Sequence, residues 1–270
     1  MRRTILLTND DGYWAPGILA LHRALSVRND VIVVAPDTHM SGVGHAITIV
    51  RPLRYDRLPD RLGLTGYWVN GTPADCIKLA LTRLLPKRPD LVVSGMNLGE
   101  NTGVSAFYSG TLAGAREGAL HRLPSVAFSL GVRARAHLDD YSGQAAWLLD
   151  QLHPIAADSR DGDRACAGNP NSILYNVNFP EVAPEQCHGI RVTRQSSSPF
   201  ADCFEERFDE THGPGMWLAG GRGALEPEAD VDSTAHYAGY TTITPLGLDT
   251  TAHSARRELA GLDGAQAPRS

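Results

Sequence analysis

Two adjacent carboxylates, Asp10 and Asp11, stand where a short apolar run gives out, in Thr4-Ile5-Leu6-Leu7-Thr8-Asn9-Asp10-Asp11-Gly12. Ile5 to Leu7 is too short for a helix and is closed by turn-forming residues, so it reads as a buried strand. In an open α/β sheet, ligands bind at the C-terminal ends of the strands. Neighbouring carboxylates repel each other and are tolerated in water, beside cations or around a metal ion. An Asx turn with solvated side chains explains the same four residues. What favours chemistry is that later strand ends carry matching groups. Ser41-Gly42 follow a second apolar run, Val31 to Ala35, and Asn97 follows another, Leu91 to Val93. Carboxylates, a hydroxyl and an amide carbonyl, with room for waters, suit a hard divalent cation such as Mg²⁺ or Mn²⁺.

Ser109-Gly110-Thr111 enters a helix that runs through Ala113, Ala115 and Glu117. That helix start offers backbone N–H groups, two hydroxyls and the positive end of the dipole to an anion. A plain Ser/Thr N-cap after a Gly-rich loop is the other explanation. An anion cradle beside a hard cation is an arrangement for phosphoryl transfer, in which a phosphate oxygen is polarised while N–H groups steady the rest. Cys76, Cys166, Cys187 and Cys203 form no C-x-x-C pair and no Cys/His spacing suited to zinc.

The elements that must hold these groups are those of an α/β fold. Pro16 opens a helix with Ile18, Leu21 and Leu25 on one face, and Val31 to Ala35 returns as a strand. Strand, helix and strand in so short a span make a βαβ unit with parallel strands. Ile47 to Leu53 reads as extended, Arg54 to Thr65 as loop, and Tyr67-Trp68-Val69 as a short strand. Thr72 caps, Pro73 opens and Asp75 favours the start of a helix whose buried face carries Ile77, Leu81, Leu84 and Leu85. Capping accounts for both Thr72 and Asp75. Ser125 to Phe128 is a core strand, and Asp139 or Asp140 caps a helix with Tyr141, Ala145, Leu148, Leu149 and Leu152 inward. Asp158 to Asn171 reads as an exposed loop, and Ile173 to Val177 as the last strand of the main sheet. Gly213-Pro214-Gly215 reads as a turn before a strand at Met216 to Leu218, and Asp230 to Leu246 as an antiparallel appendage of short strands.

The chain has 270 residues and a net charge of −5, with Lys only at positions 78 and 87 and the Arg scattered. No basic patch points to a nucleic-acid polymer. Apolar runs fall short of membrane-spanning length and no signal peptide precedes the first strand, so the expectation is a cytoplasmic protein with reduced thiols and no membrane partner.

The chain resembles the SurE (survival protein E) family of metal-dependent nucleoside monophosphate phosphatases. The resemblance rests on Thr8-Asn9-Asp10-Asp11-Gly12, Ala35-Pro36-Asp37 with Ser41-Gly42, and Gly71-Thr72-Pro73-Ala74-Asp75-Cys76. It continues through Ser94-Gly95-Met96-Asn97, Gly99 and Asn101, Tyr108-Ser109-Gly110-Thr111, Asn176-Val177-Asn178-Phe179-Pro180 and Ile243-Thr244-Pro245-Leu246. Each motif is weak alone, and the ordered set is specific. Leu98 departs from the smaller or polar residue frequent in the family, and Phe200 to Gly223 matches only loosely.

The resemblance implies a Rossmann-like three-layer α/β/α sandwich with a mostly parallel sheet and a C-terminal β-rich oligomerisation extension. It implies a phosphatase core over residues 1–195, an extension over 196–252 and a tail over 253–270. One divalent ion per subunit, Mg²⁺ or Mn²⁺, would be held by Asp10, Asp11, Ser41 and Asn97. Gly42, Asn101, Ser109, Gly110 and Thr111 would bind the substrate phosphate, and Asp10 or Asp11 would act as nucleophile or activate water. The implied activity is hydrolysis of nucleoside 5′-monophosphates, and 3′-monophosphates beside them, by a homodimer or homotetramer joined through the extension. A specialised phosphorylated metabolite, a short polyphosphate, or nucleotide binding without turnover are the rival expectations.

Overall fold

β1 (Thr4–Thr8) lies inside a nine-stranded sheet and is buried from its second residue onward. The computed structural model describes residues 2–158, 174–221, 223–258, 260 and 263. After β1 come α1 (Pro16–Ser26), β2 (Asp30–Pro36), β3 (Tyr55–Arg57), β4 (Gly66–Val69), α2 (Pro73–Leu79) and β5 (Leu91–Leu98). There follow α3 (Ser105–Tyr108), α4 (Gly110–Leu120), β6 (Ser125–Leu130), α5 (Leu138–Asp158), β7 (Leu174–Phe179) and β8 (Ile190–Val192). Last are β9 (Phe204–Asp209), β10 (Gly213–Leu218), α6 (Asp232–Tyr237), β11 (Thr241–Leu246) and α7 (His253–Glu258).

The strand order is β3-β4-β2-β1-β5-β6-β7-β11-β8. From β4 to β7 neighbouring strands are parallel, while β3 pairs antiparallel with β4 and β11 antiparallel with β7. The chain leaves β1 for β2 on one side and comes back to β5 on the other, so β1 and β5 flank the topological switch point. That crevice is the natural ligand site of such a sheet.

Alternation along β1 divides the two faces. Ile5 and Leu7 join the apolar cluster that holds Ile18, Leu21 and Leu25 of α1 and Tyr141, Ala145 and Leu149 of α5. Leu6 points to the other face, where Cys76, Ile77 and Ala80 pack. Leu112, Ala115 and Ala119 of α4 form a neighbouring cluster with Ala127 and Leu174. The result is an α/β/α sandwich. Full burial of Ile18, Leu21 and Leu25 contributes about 1.5–3 kcal/mol each. Contact between α1 and the sheet is intimate, since a Cβ on Gly17 would sit 1.9 Å from the Met96 carbonyl oxygen.

Several segments differ from the sequence expectations. Ile47 to Leu53 forms no strand, and β3 falls at Tyr55–Arg57, inside the stretch read as loop. The Thr48 N–H is taken by the Asp75 carboxylate, and pairing with β4 begins only where Asn70 exchanges bonds with Arg54. Gly213 to Gly215 lies in β10 rather than a turn. The turn comes earlier because Asp209 accepts from the N–H groups of Thr211 and His212. Asp230 to Leu246 is not a set of short strands: α6 occupies Asp232–Tyr237, and β11 inserts into the main sheet beside β7. β7 is therefore not its last strand. Most of the loop read at Asp158 to Asn171, and most of the final tail, lie outside the described residues.

Candidate functional site

Asp10 sits just beyond the C-terminal end of β1, almost wholly buried at 4 % exposure. The turn that carries it is shaped by Asn9, whose Nδ2 donates to the Gly12 carbonyl at 2.9 Å. Gly12 takes the left-handed backbone, φ 97°, that lets the chain leave the strand so sharply. The Met40 N–H donates to the Asp10 carbonyl at 2.7 Å, tying in the loop after β2. The Thr111 hydroxyl donates to Asp10 Oδ1. Gly110 stands against the same carboxylate, and a Cβ there would lie 2.7 Å from Asp10 Cβ and 3.0 Å from Oδ2.

Burial pushes the Asp10 carboxyl up to about 6; the Thr111 hydrogen bond opposes this and the Asp11 charge adds to it. Asp11 is also raised by burial, against the pull of His39, whose Nδ1 is 3.1 Å from Asp11 Oδ1. Two desolvated carboxylates side by side are favoured by a bound cation. Among the described residues no group of three or more His, Cys, Asp or Glu side chains is placed to hold a metal. A cation here would have to recruit neutral oxygens. Asn97 is set to supply one: its Nδ2 donates to the Gly99 carbonyl at 2.7 Å, which leaves Oδ1 free. The donors are all oxygen, which fits a hard divalent ion.

Asp10, Ser41, Gly42, Asn97, Asn101 and Ser109 line one cleft of about 550 Å³. Ser109 caps α4, accepting from the Leu112 N–H at 3.0 Å, so the capping account is correct whatever else Ser109 does. Asp11, Gly110 and Thr111 are not among the cleft's walls; the latter two lie behind Asp10 and bear on its carboxylate. Beyond the polar residues the cleft is walled by Tyr108, Phe200, Phe204 and Leu218, with the Tyr108 and Phe200 rings 5.9 Å apart.

Some residues act here that the sequence reading passed over. Nothing in the sequence links His39 to Asp11, 28 residues away, yet the two meet in the structure. Thr72 and Asp75 do form a capping box, but the Asp75 carboxylate also accepts from the N–H and hydroxyl of Thr48, while Thr72 donates to the Ala46 carbonyl. Glu117, on α4, is 2 % exposed and receives Lys78 Nζ at 2.6 Å, His45 Nε2 at 2.9 Å and His121 Nε2 at 3.2 Å. Burial alone would raise this carboxyl, but the hydrogen bonds from His45 and Lys78 hold it near 2. Together these contacts fasten the loop that carries Ser41 and Gly42 to α2 and α4. The signal was available: Glu117 falls one helical turn after Ala113 on an otherwise apolar stripe.

The "Survival protein SurE" family model matches residues 5–202. The 5′-nucleotidase SurE 1 of Thermus thermophilus is 43% identical over 266 residues, 98% of this chain and 99% of that protein. The 5′-nucleotidase SurE of Natranaerobius thermophilus is 36% identical over 263 residues, 95% and 97% of the two chains. The crystal structure of the SurE protein from Aquifex aeolicus superposes with a TM-score of 0.77 at 35% identity, covering 96% of this chain and 99% of that one. With this similarity along nearly its whole length, the chain belongs to the SurE family.

Proposed function

We propose that the protein is a metal-dependent phosphomonoesterase that hydrolyses nucleoside 5′-monophosphates, and 3′-monophosphates beside them, to nucleoside and phosphate. The observation that carries this is the make-up of one cleft: oxygen donors and a helix N-terminus share it with an aromatic wall of Tyr108, Phe200 and Phe204. None of its described lining residues is Lys or Arg. A flat, apolar leaving group suits such a wall, whereas a polyphosphate chain would want cations along its length. Relatives named 5′-nucleotidases support the same substrate class.

In this reading Asp10, Asp11, Ser41 and Asn97 hold one Mg²⁺ or Mn²⁺ per subunit, which when bound polarises a phosphate oxygen. The phosphate is steadied by the Ser109 hydroxyl, the Gly42 backbone and the Asn101 amide. Asp10 has one oxygen pinned by Thr111; the other would either attack phosphorus as the P–O ester bond breaks and the nucleoside oxygen leaves, water then hydrolysing the acyl phosphate, or take the proton of a water that displaces the nucleoside directly. Phosphate release from 5′- and 3′-nucleotides, sugar phosphates and tripolyphosphate, each with Mg²⁺, Mn²⁺ or EDTA, tests this. Metal-dependent release greatest on nucleotides is the expected result. Release confined to another ester would reassign the substrate, and binding of nucleotide without any release would remove the enzyme reading.

We assign residues 1–195, together with β11 where it pairs with β7 and β8, to the phosphatase core, and the oligomerising part of the extension over 196–252 to the β9–β10 hairpin. That hairpin forms its own two-stranded sheet and exposes Phe204, Phe208, Met216, Trp217 and Leu218. So much exposed apolar surface on one hairpin suits docking on further copies of the chain, as a homodimer or homotetramer. Replacing 204–218 by a short Gly/Ser turn should lower the mass measured by light scattering, and an unchanged mass would exclude the hairpin as the contact. Among the described residues no helix is long and apolar enough to cross a membrane, and Cys76, Cys187 and Cys203 are free thiols. We further propose a cytoplasmic location, which recovery of the activity in a membrane fraction would contradict.

A further inference from the structure

Asn101 is held by an unusual set of buried polar side chains on two neighbouring strands. Its backbone N–H donates to Asn178 Oδ1 at 2.7 Å, and its carbonyl accepts from Asn176 Nδ2 at 2.7 Å. Its own Nδ2 donates to Ser129 Oγ at 2.8 Å. Asn176 and Asn178 stand two apart on β7 and so face the same side of the sheet; Ser129 is the register partner of Asn178 on β6. Asn176, Asn178 and Ser129 are all at most 1 % exposed, in strands that are buried throughout.

An apolar residue would be the ordinary occupant of such positions. The asparagines come at a cost, because Asn176 Oδ1 and Asn178 Nδ2 have no hydrogen-bond partner among the described residues. Each buried unpaired polar atom costs about 1–3 kcal/mol. Cost of this kind at the rim of a site points to a functional placement. Geometry says what is placed. Every main-chain polar group of Asn101 is fixed by β7, and one of its two amide hydrogens is fixed by Ser129. The second amide hydrogen is left for a ligand in the cleft that Asn101 lines.

We propose that Asn178, Asn176 and Ser129 are positioning residues that aim the Asn101 amide at the substrate phosphate. This rests on the phosphate-cradle reading of the cleft. It makes the C-terminal ends of β6 and β7 part of the phosphate-binding machinery; Ser129 is also the register partner of Asn97 across β5 and β6, but its hydroxyl is engaged by the Asn101 amide.

The test compares Asn178→Leu, Asn178→Asp, Ser129→Ala and Asn101→Ala in the full chain. The readouts are the inhibition constant of inorganic phosphate, kcat, and the half-saturating Mn²⁺ concentration. Loss of a group that orients a metal-ligating residue typically costs about 10–100-fold in affinity or activity, and the lower end of that range is the scale expected for orienting an amide toward an anion. Asn178→Leu and Ser129→Ala should therefore raise the phosphate inhibition constant about ten-fold and leave the Mn²⁺ requirement unchanged. Asn178→Asp keeps an acceptor for the Asn101 N–H but buries a carboxyl at the rim of the anion site, so it should stay nearer to wild type than Asn178→Leu only at low pH, where that carboxyl is neutral. Combined with Asn101→Ala, either variant should add nothing, because positioning has no consequence once the positioned amide is gone. Unchanged phosphate inhibition, additive double variants, or a parallel loss of Mn²⁺ affinity would overturn the proposal. If Asn178→Leu does not fold, Ser129→Ala, which removes a single oxygen, decides alone. An Asn101→Ala variant that binds phosphate as wild type does would overturn the cradle reading and this inference together. Weakened phosphate binding in Asn101→Ala alone would overturn only this inference.

Discussion

Asp11→Asn is expected to lower turnover by at least about 100-fold, beyond the range seen when an outer-shell metal partner is lost, with the circular dichroism spectrum unchanged. The substitution keeps the size of the side chain and removes one of the two charges offered to the ion. Added Mn²⁺ should raise the rate only in part, because excess ion refills a weakened site but does not replace the ligand that fixes the ion's position. Stability carries a second, opposite signature. Asp11 is desolvated next to the buried Asp10, and its partner His39 is 62% exposed, so that pair is worth little. In metal-free buffer the variant should melt no lower than wild type. Wild-type protein should gain stability when Mg²⁺ or Mn²⁺ is added, by an amount that grows with the logarithm of its affinity, and the variant should lose most of that gain. Near-wild-type turnover at saturating Mg²⁺, or an undiminished metal-induced shift in Tm, would remove Asp11 from the ligand set.

The parts of this protein that were legible in its sequence are those where local chemistry and tertiary role coincide. Ile5 to Leu7 alternates between two apolar clusters, Pro16 opens α1, and Thr72 with Asp75 makes the capping box that starts α2. Asp10, Ser41 and Asn97 each follow an apolar run, and the structure brings all three to one cleft together with Asn101, which only the family resemblance had picked out. What stayed hidden depends on partners distant in the chain. β11 belongs in the main sheet because Thr241 to Thr244 are buried against β7, and Asp230 to Leu246 by itself reads equally well as an appendage. The turn after β9 is set by the Asp209 carboxylate, which outweighs the Gly-Pro-Gly signal that follows it. Thr111 was read as a phosphate contact from its place at a helix start, yet its hydroxyl donates to a carboxylate 101 residues away. No local pattern encodes that bond. Asn176 and Asn178 belonged to a matching motif, but their partner Asn101 is likewise supplied by the fold.

Gly110→Ala is the smallest change expected to stop the enzyme. Gly110 opens α4 with ordinary helical backbone, so no left-handed conformation asks for glycine there. Space asks for it instead: the added Cβ would meet Asp10 Cβ at 2.7 Å and Oδ2 at 3.0 Å. Neither side can yield easily. Asp10 is held by the Thr111 hydroxyl at its carboxylate and by the Met40 N–H at its carbonyl, while the first turn of α4 is locked by the Ser109 cap. The clash must displace the carboxylate, and a shift of about 1 Å at reacting groups can cost about 10²-fold in rate. Turnover should fall by about that factor, and Mn²⁺ affinity should fall with it, since the proposed function gives Asp10 both roles. Gly143→Ala is the matched control: it lies exposed on α5, where an added Cβ meets nothing within 4 Å. It should keep full activity and gain about 0.5–1 kcal/mol from helix propensity. Wild-type kinetics in Gly110→Ala would mean that the Asp10 carboxylate has freedom the packing denies it, and that its fixed position is not what the reaction needs.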